Sequence, residues 1–121
     1  MQILNLTQHS ATKEQLAVGI EEPSSADKVK IADLLTFEEL PDLSVMQSRA
    51  AALIHILDNY ECNVVMIGGA PYFMPVLEKY LKEADLKPVY AFSKRVVEER
   101  ELEDGTVEKI FRFKHEGFVE V

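Results

Sequence analysis

Short apolar runs alternate with polar clusters along this chain, and their lengths and periods sort them into elements. Ile3-Leu4-Asn5-Leu6, Val64-Val65-Met66-Ile67 and Pro88-Val89-Tyr90-Ala91-Phe92 are compact runs that predict strands. Each stops abruptly: at Thr7-Gln8-His9, at Gly68-Gly69-Ala70-Pro71 and at Ser93-Lys94-Arg95. If the three strands are parallel, all three clusters emerge at one edge of one sheet. That carboxyl edge is where ligands bind in open α/β sheets.

Between the strands the period changes to that of helices. Ser10 or Thr12 can cap a short helix carrying Glu14 and Gln15 in its first turn, and Gly19 ends it. Glu21 to Ser25 is expected as a loop, and Ala26 to Leu35 as a helix, although its spacing also admits a strand. Pro41 breaks the chain. From Ser44, a suitable N-cap, to Tyr60, the apolar residues Met46, Ala50, Leu53, Ile54 and Leu57 recur at helical spacing. A further helix runs from about Met74 to Ala84. Pro75 is tolerated only in its first turn. Two starts stay open: near Met74, which leaves Tyr72 and Phe73 on an ordered loop, or at Pro71, which packs both rings beneath the helix.

After Phe92 the pattern becomes a hairpin. Val96 to Glu103 and Thr106 to His115 flank Asp104-Gly105, a type I′ turn signal, with Leu102 expected opposite Val107 and Arg100 opposite Lys109. The fold class expected is therefore α/β: one domain over residues 1–121. It is a small Rossmann-like, mostly parallel sheet with helices and a C-terminal antiparallel β-hairpin.

Length and composition narrow the classes. The chain has 121 residues, 47% hydrophobic and 28% charged, an ordinary globular balance. No apolar run approaches the roughly 18 residues of a membrane helix, and the start does not read as a signal peptide. A single cysteine, Cys62, rules out an internal disulfide framework and suits a cytoplasmic protein. The net charge of −8 argues against a general nucleic-acid surface or a genomic DNA partner. The charge is uneven, however. Residues 87–121 hold seven cations against eight anions, while the rest holds six against thirteen. Local anion binding in the C-terminal third is thus compatible with the acidic whole.

The candidate chemistry sits in the three clusters. Gly68 and Gly69, between strand and helix, let backbone amides approach a phosphate, or simply make a tight turn. Neither a dinucleotide fingerprint nor a P-loop is present. Ser93, Lys94 and Arg95 form a candidate phosphate clamp, although strand alternation would direct at most one of the two cations into a crevice. Thr7, Gln8 and His9 form the third cluster, and His9 is the histidine placed for acid–base work, or merely caps the strand end. No metal-ligand spacing and no G-x-S-x-G motif occurs, so neither a metal nor another cofactor is expected.

The run Asn5-Leu6-Thr7-Gln8-His9-Ser10-Ala11-Thr12-x-x-Gln15, with Tyr90-Ala91-Phe92-Ser93-Lys94-Arg95, the Asp104-Gly105 hairpin and Phe113-Lys114-His115, resembles a group of short CRISPR-associated proteins. These accompany type III systems, are related to CARF (CRISPR-associated Rossmann fold) domains and have been regarded as ring nucleases. The resemblance implies a CARF-like fold and a homodimer that binds a cyclic oligoadenylate across its two-fold axis. It also implies metal-independent cleavage, in which a ribose 2′-hydroxyl attacks the adjacent phosphate. On this sequence the ligand-binding residues would be Thr7, Gln8, Gly68, Gly69, Ala70, Tyr72, Phe73 and Ser93, with Tyr72 or Phe73 stacked on adenine. The catalytic residues would be His9, Lys94 and Arg95. Two other classes stay open: a non-catalytic nucleotide sensor or sponge, and a protein-interaction module using the 96–115 hairpin.

Overall fold

The computed structural model describes residues 2–121. In chain order its elements are β1 (Ile3–Leu6), α1 (Lys13–Ala17), β2 (Ile20–Glu21), α2 (Ser25–Leu35), α3 (Leu43–Leu57), β3 (Val64–Ile67), α4 (Met74–Glu83), β4 (Lys87–Glu101) and β5 (Val107–Glu120). They build one five-stranded sheet in the order β2-β1-β3-β4-β5. Every pairing is parallel except the last, between β4 and β5. The α/β class, the mostly parallel sheet and the C-terminal antiparallel hairpin are those expected from the sequence.

The central strands β1 and β3 are buried along their whole length, which explains why they read as continuous apolar runs rather than alternating ones. One face of the sheet, carrying Leu4, Leu6, Val65 and Ile67, packs with Ile31 and Leu35 of α2, Leu53 and Leu57 of α3, and Leu77 and Leu81 of α4. On the other face Ile3, Ile20, Val64, Met66 and Val89 form a smaller cluster closed by Ala11 and Phe118. The β1–α1–β2 crossover runs to one side of β1 and the crossovers to β3 and β4 run to the other. Right-handed connections then place their helices on opposite faces. The strand order therefore reverses between β1 and β3.

The helix ends follow from local chemistry. Thr12 caps α1 in a reciprocal box with Gln15, the second of the two expected caps. Ser24 caps α2 through the Asp27 amide. The cap of α3 is Asp42 rather than Ser44, because the Asp42 carboxylate takes the Val45 amide at 2.9 Å. Helix α4 starts at Met74 with Pro75 in its first turn. It ends in a Schellman motif, with Asp85 in the left-handed region at φ 59° and Leu86 N–H donating to Leu81 C=O.

Three expectations are corrected. The segment after Gly19 is not all loop, since Ile20 and Glu21 pair with Ile3 and Leu4 as a short edge strand. Ser93, Lys94 and Arg95 do not follow a strand end; β4 runs through them to Glu101 and pairs Ser93 with His115, Lys94 with Lys114 and Arg95 with Phe113. The hairpin is shifted by one residue, with Arg100 opposite Glu108 and Glu99 opposite Lys109. A type I′ turn centred on Asp104-Gly105 needs positive φ at both residues, and only Gly105, at φ 83°, has it. Instead Gly105 N–H donates to Leu102 C=O and Leu102 N–H to Thr106 C=O, the bonding of a type I turn followed by a glycine bulge. Asp104 takes both the amide and the hydroxyl of Thr106, which hold its carboxyl below the usual range. Such a local carboxylate-to-backbone bond is available to Asp104 without the left-handed conformation.

Candidate functional site

Where the strand order reverses, the carboxyl ends of β1 and β3 diverge, and a cleft of about 710 Å³ opens there. Ligands bind at such switch points, and the volume lies within the roughly 300–1,000 Å³ of small-molecule sites. Thr7, Gln8, His9, Gly68, Gly69, Ala70 and Tyr72, all expected from the sequence, line it. Residues not assigned to a ligand from the sequence join them: Ser10, Thr12 and Gln15 from the approach to α1, Thr36 and Phe37 after α2, and Tyr90 and Ala91 on β4.

The floor on the β1 side is held by one buried polar side chain. Asn5 is 0% exposed and would be a costly guest in an apolar strand unless every polar atom were bonded. Its Nδ2 donates to the His9 carbonyl and to Glu22 Oε1, both at 2.7 Å. Its Oδ1 accepts from the Thr7 amide at 3.0 Å and the Thr7 hydroxyl at 2.7 Å. Glu22 Oε1 also takes the Ala11 amide, and its second oxygen pairs with Lys28, which donates to Ser10 Oγ as well. Burial pushes the Glu22 carboxyl upward, but the bonds from Lys28, Asn5 and Ala11 outweigh it and hold the group below its ordinary value. Residues 7–11 are thereby fixed as a rigid rim. The loop is ordered from beneath, by groups that need not touch a ligand.

The opposite rim is fixed by Arg49. Its guanidinium lies 4.3 Å from the Phe37 ring centroid and donates to the carbonyls of Leu34 and Thr36 at the end of α2. A cation there satisfies carbonyls that the helix leaves open. Gln8 Nε2 reaches Thr36 Oγ1 at 3.3 Å and links the two rims. Phe37 in turn meets Tyr72 and Phe73 edge-on at 5.6 and 5.3 Å.

The two aromatic rings after the glycines part company. Tyr72 is 54% exposed and faces the cleft, whereas Phe73 is 0% exposed and is a core residue. Each of the two expected starts of α4 thus described one ring. Phe73 is corrected from ligand stacking to packing. Next to them, the amides of Gly69 and Ala70, just past the strand, have no acceptor among the described residues. They lie just ahead of α4, where helix amides and dipole favour an anion.

The expected clamp is absent from the cleft. Ser93, Lys94 and Arg95 do not line it; Lys94 pairs with Lys114, and the Arg95 guanidinium sits 4.2 Å from the Phe111 ring centroid. The physical reason is the continuation of β4, which carries these residues past the sheet edge onto a ribbon. None of the residues lining the cleft is Lys, Arg, Asp or Glu. Its polar surface consists of hydroxyls, carboxamides, backbone amides and His9. Tyr90 closes the β4 side with its hydroxyl bonded to Glu78 at 2.7 Å; burial foremost, and then that carboxylate, push its proton loss upward, so it stays neutral.

The model of a family described as the uncharacterized protein MJ1673 family matches residues 1–119. The chain belongs to the MJ1673 family. No curated protein and no solved structure matches it. The MJ1673-family match spans the residues of both the cleft and the ribbon. No helix among the described residues is long and apolar enough to cross a membrane.

Proposed function

We propose that this MJ1673-family chain binds a nucleotide at the switch-point cleft, with a cyclic oligoadenylate as the ligand that the sequence resemblance favours. The observation that carries the reading is the pair of unbonded amides at Gly69 and Ala70, set beside an exposed aromatic face at Tyr72. Amides ahead of a helix receive phosphate without any cation. Tyr72 offers a stacking surface worth roughly 1–3 kcal/mol per base. Gln8, Gln15, Thr36 and Ser10 present donors and acceptors suited to base edges and ribose hydroxyls.

A second reading, cleavage, rests on His9, whose imidazole lines the cleft while only its backbone is bonded within the chain. It would take the proton of a ribose 2′-hydroxyl as that oxygen bonds the neighbouring phosphorus. The bond from phosphorus to the 5′-oxygen then breaks, and the 5′-oxygen leaves as a hydroxyl after protonation. The products are a 2′,3′-cyclic phosphate and a 5′-hydroxyl end, with no metal in the step. Lys94 and Arg95 take no part within one protomer, which leaves binding as the leading reading.

The test is a thermal-shift titration with AMP, ATP and cyclic tri-, tetra- and hexa-adenylate, followed by chromatography of each mixture. A ligand of the native state raises Tm by mass action. A shift with intact ligand supports binding, and a shift with linear products lost in His9→Ala supports cleavage. No shift with any of these nucleotides overturns both.

A further inference from the structure

We infer that the β4–β5 ribbon is a self-association surface, on which a second copy docks antiparallel across the face bearing Arg95, Val97, Glu99, Phe111 and Phe113. Beyond Phe92 the two strands leave the sheet and run about 30 Å as a free ribbon, at ~3.4 Å per residue. Two strands alone are marginal in water without a third strand or a packed face. This ribbon is instead paired over its whole length, and one of its faces is apolar.

Alternation assigns the faces. Glu98 and Arg112, and Arg100 and Glu108, lie on the face shared with Tyr90, and both pairs are ion-paired within the chain. The other face, continuous with Val89 and Phe118, presents the pairs Arg95/Phe113, Val97/Phe111 and Glu99/Lys109. There Phe113 is 75% exposed, and Val97, Phe111 and Val107 are exposed too. None of Arg95, Glu99, Glu101 and Lys109 has an ion-pair partner among the described residues. The Tyr90 face matches four of its charges internally and sets Lys94 opposite Lys114, whereas the apolar face holds no ion pair among the described residues.

Charge complementarity selects the occupant. On the apolar face the half near the sheet carries Arg95 and, among its paired residues, no carboxylate. On the same face the half towards the tip carries Glu99 and Glu101 against Lys109. A second copy laid antiparallel puts the basic half on the acidic half twice over, as a two-fold contact requires. With the axis at Val97/Phe111, Arg95 meets the partner's Glu99, Phe113 meets the partner's Lys109, and the Phe111 rings meet each other. The ligand reading is independent of this surface.

The test is sedimentation velocity of the full chain over a wide concentration range at low and at about 1 M salt, where the Debye length falls to about 3 Å. The expected result is a dimer that weakens at high salt, is lost in Arg95→Glu, and returns in the Arg95→Glu/Glu99→Arg double variant. Circular dichroism of each variant confirms the fold. A wild type that stays monomeric at the highest concentration overturns the inference. So does a dimer indifferent to Arg95→Glu, which would point to edge pairing of β5, and so does failure of the double variant to restore it.

Discussion

Asn5→Asp changes one atom in the most buried polar side chain of the protein, and its effect can be worked through. The substitution is isosteric, so it opens no cavity. It replaces Nδ2, which donates to the His9 carbonyl and to Glu22 Oε1, by a second oxygen. An ionised carboxyl there would face the Glu22 carboxylate, held ionised by Lys28 and its other donors. The introduced group escapes by taking a proton, which lets it donate to Glu22 again. Holding a carboxyl of ordinary pKa near 3.9 protonated at pH 7 costs about 4 kcal/mol, at 1.36 kcal/mol per unit. The lost bond to the His9 carbonyl adds about 1 kcal/mol.

The expected destabilisation is therefore about 5 kcal/mol at pH 7 and about 2.5 kcal/mol at pH 5. The sign follows from linkage. The introduced carboxyl has a raised folded-state pKa, so its contribution is present at low pH and is lost as pH rises. Glu22 acts oppositely: with its folded pKa lowered, its contribution is present above the ordinary carboxylate range and lost below it. Between pH 5 and pH 7 it stays ionised and leaves the comparison clean. Urea unfolding followed by circular dichroism at both pH values measures the difference, since the chain has no tryptophan. A deficit that does not shrink on going from pH 7 to pH 5, or one below 1 kcal/mol at pH 7, would refute the reasoning.

Other outcomes follow from the same geometry. Asp85→Gly relieves the only non-glycine positive φ among the described residues, and should raise stability by about 0.5–1 kcal/mol in thermal unfolding. Phe73→Ala should cost about 3–5 kcal/mol, while Tyr72→Ala costs under about 1 kcal/mol yet reduces any nucleotide-induced Tm shift. The Cys62 thiol is raised to about 11, by burial first and then by its bond to Glu21; it should resist alkylation at pH 8 until urea unfolds the chain. Labelling kinetics that match an exposed thiol in the native protein would contradict that burial.

Much of this architecture is written locally. The unbroken apolar runs of β1 and β3, the Thr12–Gln15 capping box, Pro75 in the first turn of α4 and the glycines after β3 are decided by neighbours a few residues apart. Local chemistry also placed Thr7 to His9 and Gly68 to Ala70 at one sheet edge, because parallel strands end where their apolar runs end. Asn5 was a readable signal as well, a polar residue amid apolar ones, but its partners were not. Glu22 meets it only after the β1–α1–β2 crossover closes, and Lys28 reaches Glu22 and Ser10 only from α2.

What tertiary structure alone decided are the features set by long-range pairing. Whether Ser93, Lys94 and Arg95 terminate a strand or lie within one depends on β5 pairing along their whole length. Whether Tyr72 or Phe73 faces the cleft depends on how α2 and Phe37 close over the glycine turn. Both Asp42 and Ser44 could cap α3, and the chain direction after Pro41 gave the position to Asp42. Which ribbon charges face one another, Arg100 and Glu108 or Lys94 and Lys114, follows from register, which a one-residue slip in the hairpin loop resets for every side chain beyond it. Apolar period and capping are properties of neighbouring residues, so the sequence carries them. Register, rim contacts and the reversal of strand order are properties of residues far apart in the chain, brought together only by folding.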